Sequence, residues 1–301
     1  MSTWIASKLE VAAPRDGYQT IGVDPLNPVV GGEVTGVDLS KPLSDAQIAE
    51  IRAAFADRHV LIFRDQILSV EDHKRFARLF GALHVHPYNA KNVAPDHAAP
   101  TKANADPEIL VVKADQTSRF VAGEEWHSDV TCDAEPPMGS MLYITKTPEI
   151  GGGDTLFAST VRAYEALSPM MQEFVGRLTA THDGAKPYTG AYGTAPPPGG
   201  WPKTNHPVVI TVPWSGRKAL YVNRGFTTRL NPLNRKESDA LLEFLFRHIE
   251  SHVAFQCRVR WTPNTLVFWD NWSVQHHAAW DYYPHSRFGQ RVSIIAGSPA
   301  A

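Results

Sequence analysis

The hardest constraint on this chain is a pair of histidines separated by about half its length. Mid-chain the sequence reads Glu125-Trp126-His127-Ser128-Asp129-Val130-Thr131, and near its end Trp269-Asp270-Asn271-Trp272-Ser273-Val274-Gln275-His276. Residues two apart on an extended strand share a face, so His127 and Asp129 are expected to reach one ion. A fold that carries His276 to the same place from another strand supplies a third ligand. Two histidines and one carboxylate on one side of an ion, with the other positions open, is the arrangement of non-haem Fe(II) oxygenases. The chemistry implied is oxidation by O2.

Composition sets the outer limits. With 43% hydrophobic and 20% charged residues, the 301-residue chain has the make-up of a globular protein with a substantial core. A formal net charge of -2 gives no basic footprint for nucleic acid and no polybasic membrane patch. The first residues lack a long apolar stretch of the secretory kind, and no apolar run approaches the ~20 residues of a membrane span. Cys132 and Cys257 are isolated from one another in sequence, which argues against a disulfide framework or a thiolate zinc site and for a reducing, cytoplasmic setting.

Along the chain, Ser44-Asp45-Ala46-Gln47 reads as a capping box opening a helix with Ile48, Ile51, Ala54 and Phe55 on one face. His59 to Phe63 reads as a buried strand. Ser69 caps a second predicted helix running to Phe80, with Gly81 as its C-terminal stop. Residues 89–106 read as a long loop. Strand-like text resumes at Ile109–Val112, and Ser168-Pro169 opens another helix with proline at its first position. Residues 184–202 are rich in Gly and Pro without a regular period, and so long a loop reads as an active-site lid. A hairpin is predicted from Val208–Val212 and Ala219–Val222, then a helix from Lys236 to His252. Three final strands span Phe255–Trp261, Thr265–Trp269 and Arg291–Ala296. Many short strands with Gly/Pro turns and a few decorating helices predict a mainly β (α+β) jelly-roll barrel, a double-stranded β-helix, as a single domain over residues 1–301.

A His-x-Asp pair is weak evidence in a chain with 13 histidines. Further elements in order strengthen it: Gly31-Gly32-Glu33-Val34-Thr35-Gly36-Val37-Asp38-Leu39, Phe63-Arg64-Asp65-Gln66, Gly151-Gly152-Gly153-Asp154-Thr155, Trp269-Asp270-Asn271, and Arg291 on the last strand. Together they resemble the taurine dioxygenase and 2,4-dichlorophenoxyacetate dioxygenase family of Fe(II)- and 2-oxoglutarate-dependent oxygenases, over nearly the whole chain. The resemblance implies Fe(II) on His127, Asp129 and His276, with O2 and 2-oxoglutarate as co-substrates. It gives the far carboxylate of 2-oxoglutarate to Arg291 and Thr155; an arginine fork pairs with a carboxylate bidentately. His277 competes with His276 for the third ligand position, and neighbours on a strand face opposite sides; the family pattern favours His276.

His84-Val85-His86-Pro87-Tyr88 resembles the segment through which taurine enzymes hold a sulfonate. This places His86 and Tyr88 at the substrate, together with Val130, Phe226 and again Arg291. Two departures from the family pattern, Gly123 in place of an asparagine and Gly184 in place of an aromatic residue, are expected to open volume for an anion larger than taurine. The expected reaction is hydroxylation of a small organic anion, an alkyl or aryl sulfonate or a sulfate ester, with release of succinate and CO2. An aryloxyalkanoate or other carboxylate substrate is the alternative. From other classes come a zinc hydrolase, which has no use for a dicarboxylate clamp, and a ligand-binding barrel without turnover. The family's habit implies a homodimer or homotetramer.

Overall fold

A computed structural model describes residues 17–87 and 106–301. Its largest sheet has eight strands. Seven follow one another in space: Gly22–Pro25 (β1), Gly32–Thr35 (β2), Val60–Phe63 (β3), Thr265–Asp270 (β14), Gly139–Lys146 (β6), Arg287–Ile295 (β16) and Ala82–Leu83 (β4). Leu110–Ala114 (β5) also pairs with β16. β2 and β3 run parallel and the other neighbours antiparallel. Three smaller sheets complete the β structure. Gln256–Val259 (β13), Thr155–Ser159 (β7) and Val274–Ala278 (β15) form one. Thr227–Asn231 (β12), Thr179–Asp183 (β8) and Lys203–Pro207 (β9) form another. Val209–Thr211 (β10) and Lys218–Leu220 (β11) form a hairpin.

The central strands are apolar on both faces, and period-2 alternation divides them between two cores. Leu61, Phe63, Leu266 and Phe268 face one way with Ile294, against Ile51, Ala54 and Phe55 of helix α1 (Asp45–Arg58) and Phe76 and Ala77 of helix α2 (Val70–Arg78). Val60, Ile62, Val267 and Trp269 face the other way, meeting Phe157 of β7, Val259 of β13 and Val274 of β15. The layers are therefore helix, sheet, sheet. The same alternation turns Val292 and Ile294 of β16 to the helix side, which leaves Arg287 and Arg291 for the space between the sheets.

Capping chemistry fixes the helix starts. Ser44 and Gln47, and likewise Ser69 and Asp72, close reciprocal capping boxes. Ser168 caps a short helix, Pro169–Val175. The long helix Arg235–Glu250 buries Leu242, Leu245 and Ile249. Gly81 is not the stop predicted for α2: the helix ends at Arg78 with Leu79 in right-handed conformation. A Cβ at position 81 would instead lie 2.4 Å from the Ile295 carbonyl oxygen, so glycine is there to let β16 approach. Residues 184–202 also differ from a featureless loop, because Lys186–Ala191 forms a π-helical turn. The predicted loop at 89–106 lies almost wholly outside the described residues. Among the described residues no helix is long and apolar enough to cross a membrane.

Candidate metal centre and active-site cavity

His127 and His276 are direct backbone partners. The His127 amide donates to the His276 carbonyl at 3.0 Å, and the His276 amide donates back at 2.8 Å. Such an exchanged pair fixes neighbouring Cα atoms about 5.5 Å apart and sets the two imidazoles side by side, with ring centroids 4.1 Å apart. Asp129 arrives differently from the strand expectation. His127 makes only an isolated bridge, and the chain then turns at Asp129 and Val130. Val130 takes a φ of 49°, costly for a β-branched residue. The turn is held by the Asp133 amide donating to the Val130 carbonyl, by the Ser128 hydroxyl donating to the Val274 carbonyl, and by the Asp129 amide donating to the Asn271 side chain. Convergence of the two side chains is thus a product of a pinned turn.

One ligand atom from each of His127, Asp129 and His276 falls within 4.8 Å of the others. His127 Nδ1 donates to the Glu125 carbonyl at 2.7 Å, so its Nε2 keeps a lone pair, and Nε2 faces Asp129 Oδ1 at 3.7 Å. His276 Nε2 lies 3.9 Å from the same oxygen. Burial holds both imidazoles below the usual histidine pKa, well below for His276, so both are neutral, as ligation requires. Burial alone would raise the Asp129 carboxyl, but the Arg291 guanidinium, helped by the Ser140 hydroxyl, holds it well below the usual range. The donor set, its tautomer and its ionisation fit a divalent metal.

Arg291 Nη1 donates to Asp129 Oδ1, and Ser140 donates to Oδ2 at 2.7 Å. Four residues earlier on the same strand, Arg287 sits 3% exposed with Nε and Nη2 lacking any partner among the described residues. Its guanidinium lies over the Trp261 ring, 5.2 Å from the centroid. The Trp261 indole N–H donates to the Thr155 hydroxyl at 3.0 Å, which leaves the threonine's own proton to donate. Trp261 therefore draws Arg287 and Thr155 to one end of the site. The sequence reading passed over Arg287.

His127, Asp129, His276, Arg291, Arg287 and Thr155 line one cavity of about 640 Å³, within the usual size of small-molecule sites. The comparisons now bear directly on it. The family model for the taurine catabolism dioxygenase TauD, TfdA family matches residues 22–293. The chain belongs to that family. It is 34% identical over 292 residues to an alpha-ketoglutarate-dependent sulfonate dioxygenase of Saccharomyces cerevisiae, covering 95% of this chain and 69% of the relative. It is 29% identical to an alpha-ketoglutarate-dependent sulfate ester dioxygenase of Pseudomonas putida, covering 93% and 91%. The crystal structure of a taurine dioxygenase from Burkholderia xenovorans superposes with a TM-score of 0.78 at 30% identity, covering 93% and 91%. As a TauD/TfdA-family protein the chain is an Fe(II)- and 2-oxoglutarate-dependent dioxygenase.

His86, Val130, Phe226 and Arg291 all line the cavity. Burial, then the charge of Arg291, keeps His86 well below the usual histidine pKa, so it meets a ligand as a neutral imidazole. Phe226 is buried, edge-on to Tyr188 at 5.9 Å, with its amide held by the Asn223 side chain. Tyr88 lies outside the described residues. His277 is half-buried, and its ring packs on Trp126 at 5.6 Å, while the metal-like group contains His276. The expectation that Gly184 opens volume is not met. A Cβ there would find Pro202, Cys132 and Trp201 within 3.2 Å, so neighbouring side chains already fill that space.

Proposed function

We propose that His127, Asp129 and His276 hold the iron of this dioxygenase, and that the cavity oxidises a small organic anion, a sulfonate or a sulfate ester. The observation that carries the reading is one cavity containing a neutral two-histidine, one-carboxylate group and two arginines placed at different distances from it. Iron and 2-oxoglutarate together supply O2 activation, in which oxidative decarboxylation to succinate and CO2 leaves one oxygen atom for a substrate C–H bond.

The protein's own residues bind and orient. Arg291 touches Asp129, so it lies too near the metal group to hold the far end of a dicarboxylate chelated there at its other end. Arg287, with two unpartnered nitrogens beside Thr155, suits that carboxylate and takes the role first expected of Arg291. Thr155 donates its hydroxyl proton to the same group. Arg291 and His86 are then available for the substrate anion, the first as a charge and the second as a neutral N–H donor. Val130 and Phe226 form the apolar wall that sets the substrate carbon against the metal group and excludes water. Hydroxylation at a carbon bearing a sulfonate or sulfate oxygen gives a product that expels sulfite or sulfate and leaves a carbonyl.

The two facing sheets suit a jelly-roll barrel acting as one domain over residues 1–301. Residues 184–202, with Tyr188 and Tyr192 on the cavity, suit a lid. Assembly as a dimer or tetramer is the expected state. The test is succinate release under air with Fe(II), 2-oxoglutarate and a panel of alkylsulfonates, sulfate esters and aryloxyacetates. Sulfonates or sulfate esters should stimulate it, and His127→Ala or Asp129→Ala should abolish it. Stimulation by aryloxyacetates alone would overturn the substrate class, and turnover in either variant would overturn the ligand assignment.

A further inference from the structure

Two segments that line the cavity meet ring to ring, one before His127 and one within residues 184–202. Phe120, on the loop before His127, stacks on Tyr192 with ring centroids 4.9 Å apart and planes at 17°. Tyr192 follows directly after the π-helical turn Lys186–Ala191. Both rings are half-buried and line the cavity. The Gly123 amide donates to the Tyr192 hydroxyl at 3.1 Å, and the Gly123 carbonyl accepts from Ala278 of β15 at 2.8 Å. Gly123 takes a φ of 90°, and a Cβ built there would lie 3.0 Å from His127 Cε1. The tyrosine hydroxyl is therefore anchored to a backbone position that itself abuts a metal-site imidazole. Lys186 holds the base of the turn by donating to the Arg224 and Thr227 carbonyls, so the ring stands on a braced support.

We propose that Tyr192 is a specificity-determining residue: anchored by Gly123 and stacked on Phe120, its ring is the end wall that limits how long a substrate body the cavity accepts. The inference rests on the sulfonate or sulfate-ester reading above and adds the length of the organic part. Within the wall each added methylene gains burial and tightens binding about fourfold. Beyond it a further methylene must displace a stacked, hydrogen-bonded ring, and affinity falls.

The experiment is calorimetric titration of ethyl, butyl, hexyl, octyl, decyl and dodecyl sulfonate and the matching sulfate esters into the full chain carrying Mn(II) and 2-oxoglutarate, without turnover. The parent should tighten along the series and then show a sharp cut-off. Tyr192→Ala should move that cut-off to longer bodies, gaining tenfold or more for the first homologue that the parent rejects. Tyr192→Phe keeps the ring and should keep the cut-off. Should the alanine variant fail to fold, Phe120→Ala, which removes the stacking partner, should shift the cut-off in the same direction. A cut-off at the same length in the parent and in every folded truncation, or none in the parent, overturns the proposal. Failure of the parent to bind 2-oxoglutarate, or any sulfonate or sulfate ester, would instead overturn the functional reading beneath it.

Discussion

Arg287→Met separates the two arginines most cleanly, because the structure predicts opposite effects on stability and on co-substrate binding. Arg287 is buried, and its Nε and Nη2 have no hydrogen-bond partner among the described residues. An unmade hydrogen bond on a buried donor costs about 1–3 kcal/mol, and cavity water offsets part of that. Stacking on Trp261 returns about 1–2 kcal/mol. Replacing the guanidinium with an apolar side chain of similar length should thus leave the metal-free protein as stable as the parent or slightly more so. For 2-oxoglutarate the account reverses, since removing one partner of a buried charge pair costs about 2–5 kcal/mol. That is about thirty-fold to a few thousand-fold in affinity. Differential scanning fluorimetry of the metal-free protein and calorimetric titration of 2-oxoglutarate into the Mn(II) form measure the two quantities. A variant that melts well below the parent yet binds 2-oxoglutarate normally would refute the assignment of Arg287.

Three further outcomes follow from the same geometry. Arg291→Met leaves Asp129 buried without its guanidinium partner, so the metal-free protein should lose about 3–5 kcal/mol, most of it restored by Mn(II), as thermal melts with and without metal will show. Trp261→Phe removes the indole donor to Thr155 and should raise the KM for 2-oxoglutarate about two- to tenfold, one neutral hydrogen bond, read in a succinate assay. Burial holds His73 down at about 4 and His182 at about 3 from 6.5. Above 6.5 these groups are neutral in both states and contribute nothing. As pH falls below 6.5 only the unfolded chain takes up their protons, so stability drops by up to about 3–5 kcal/mol per group. The melting temperature should decline from pH 6.5 towards 4, and His73→Leu should flatten that slope.

The convergence of His127, Asp129 and His276 was legible because the chemistry expected of them dictates residue types, beside the ordered glycine and tryptophan motifs. The helices α1 and α2 announced themselves through Ser44 and Ser69. The way Asp129 arrives was not legible, because the turn depends on Asn271 and Val274, which only the fold brings near. Nor did the text distinguish Arg287 from Arg291: both sit on the same face of one strand, and the roles proposed for them rest on Arg291 touching Asp129, a tertiary contact. Strands such as Gly139–Lys146, buried on both faces, lack the clean alternation that marks a half-exposed strand. The π-helical turn after Ala185 lay hidden in a Gly/Pro-rich stretch whose punctuation reads only as irregular.

The reciprocal backbone bonds between His127 and His276 have a consequence beyond the imidazole pair they set side by side. Because peptide geometry sets the gap between these imidazoles, wall side chains in the loops between them can change without setting that spacing. Phe226, Tyr188 and Tyr192 all fall in that intervening stretch, which makes the selectivity walls of this scaffold separable from its oxidising centre. New specificities can arise by changing these wall residues while Asp129, Thr155 and the turn-holding Asn271 and Val274 stay as they are.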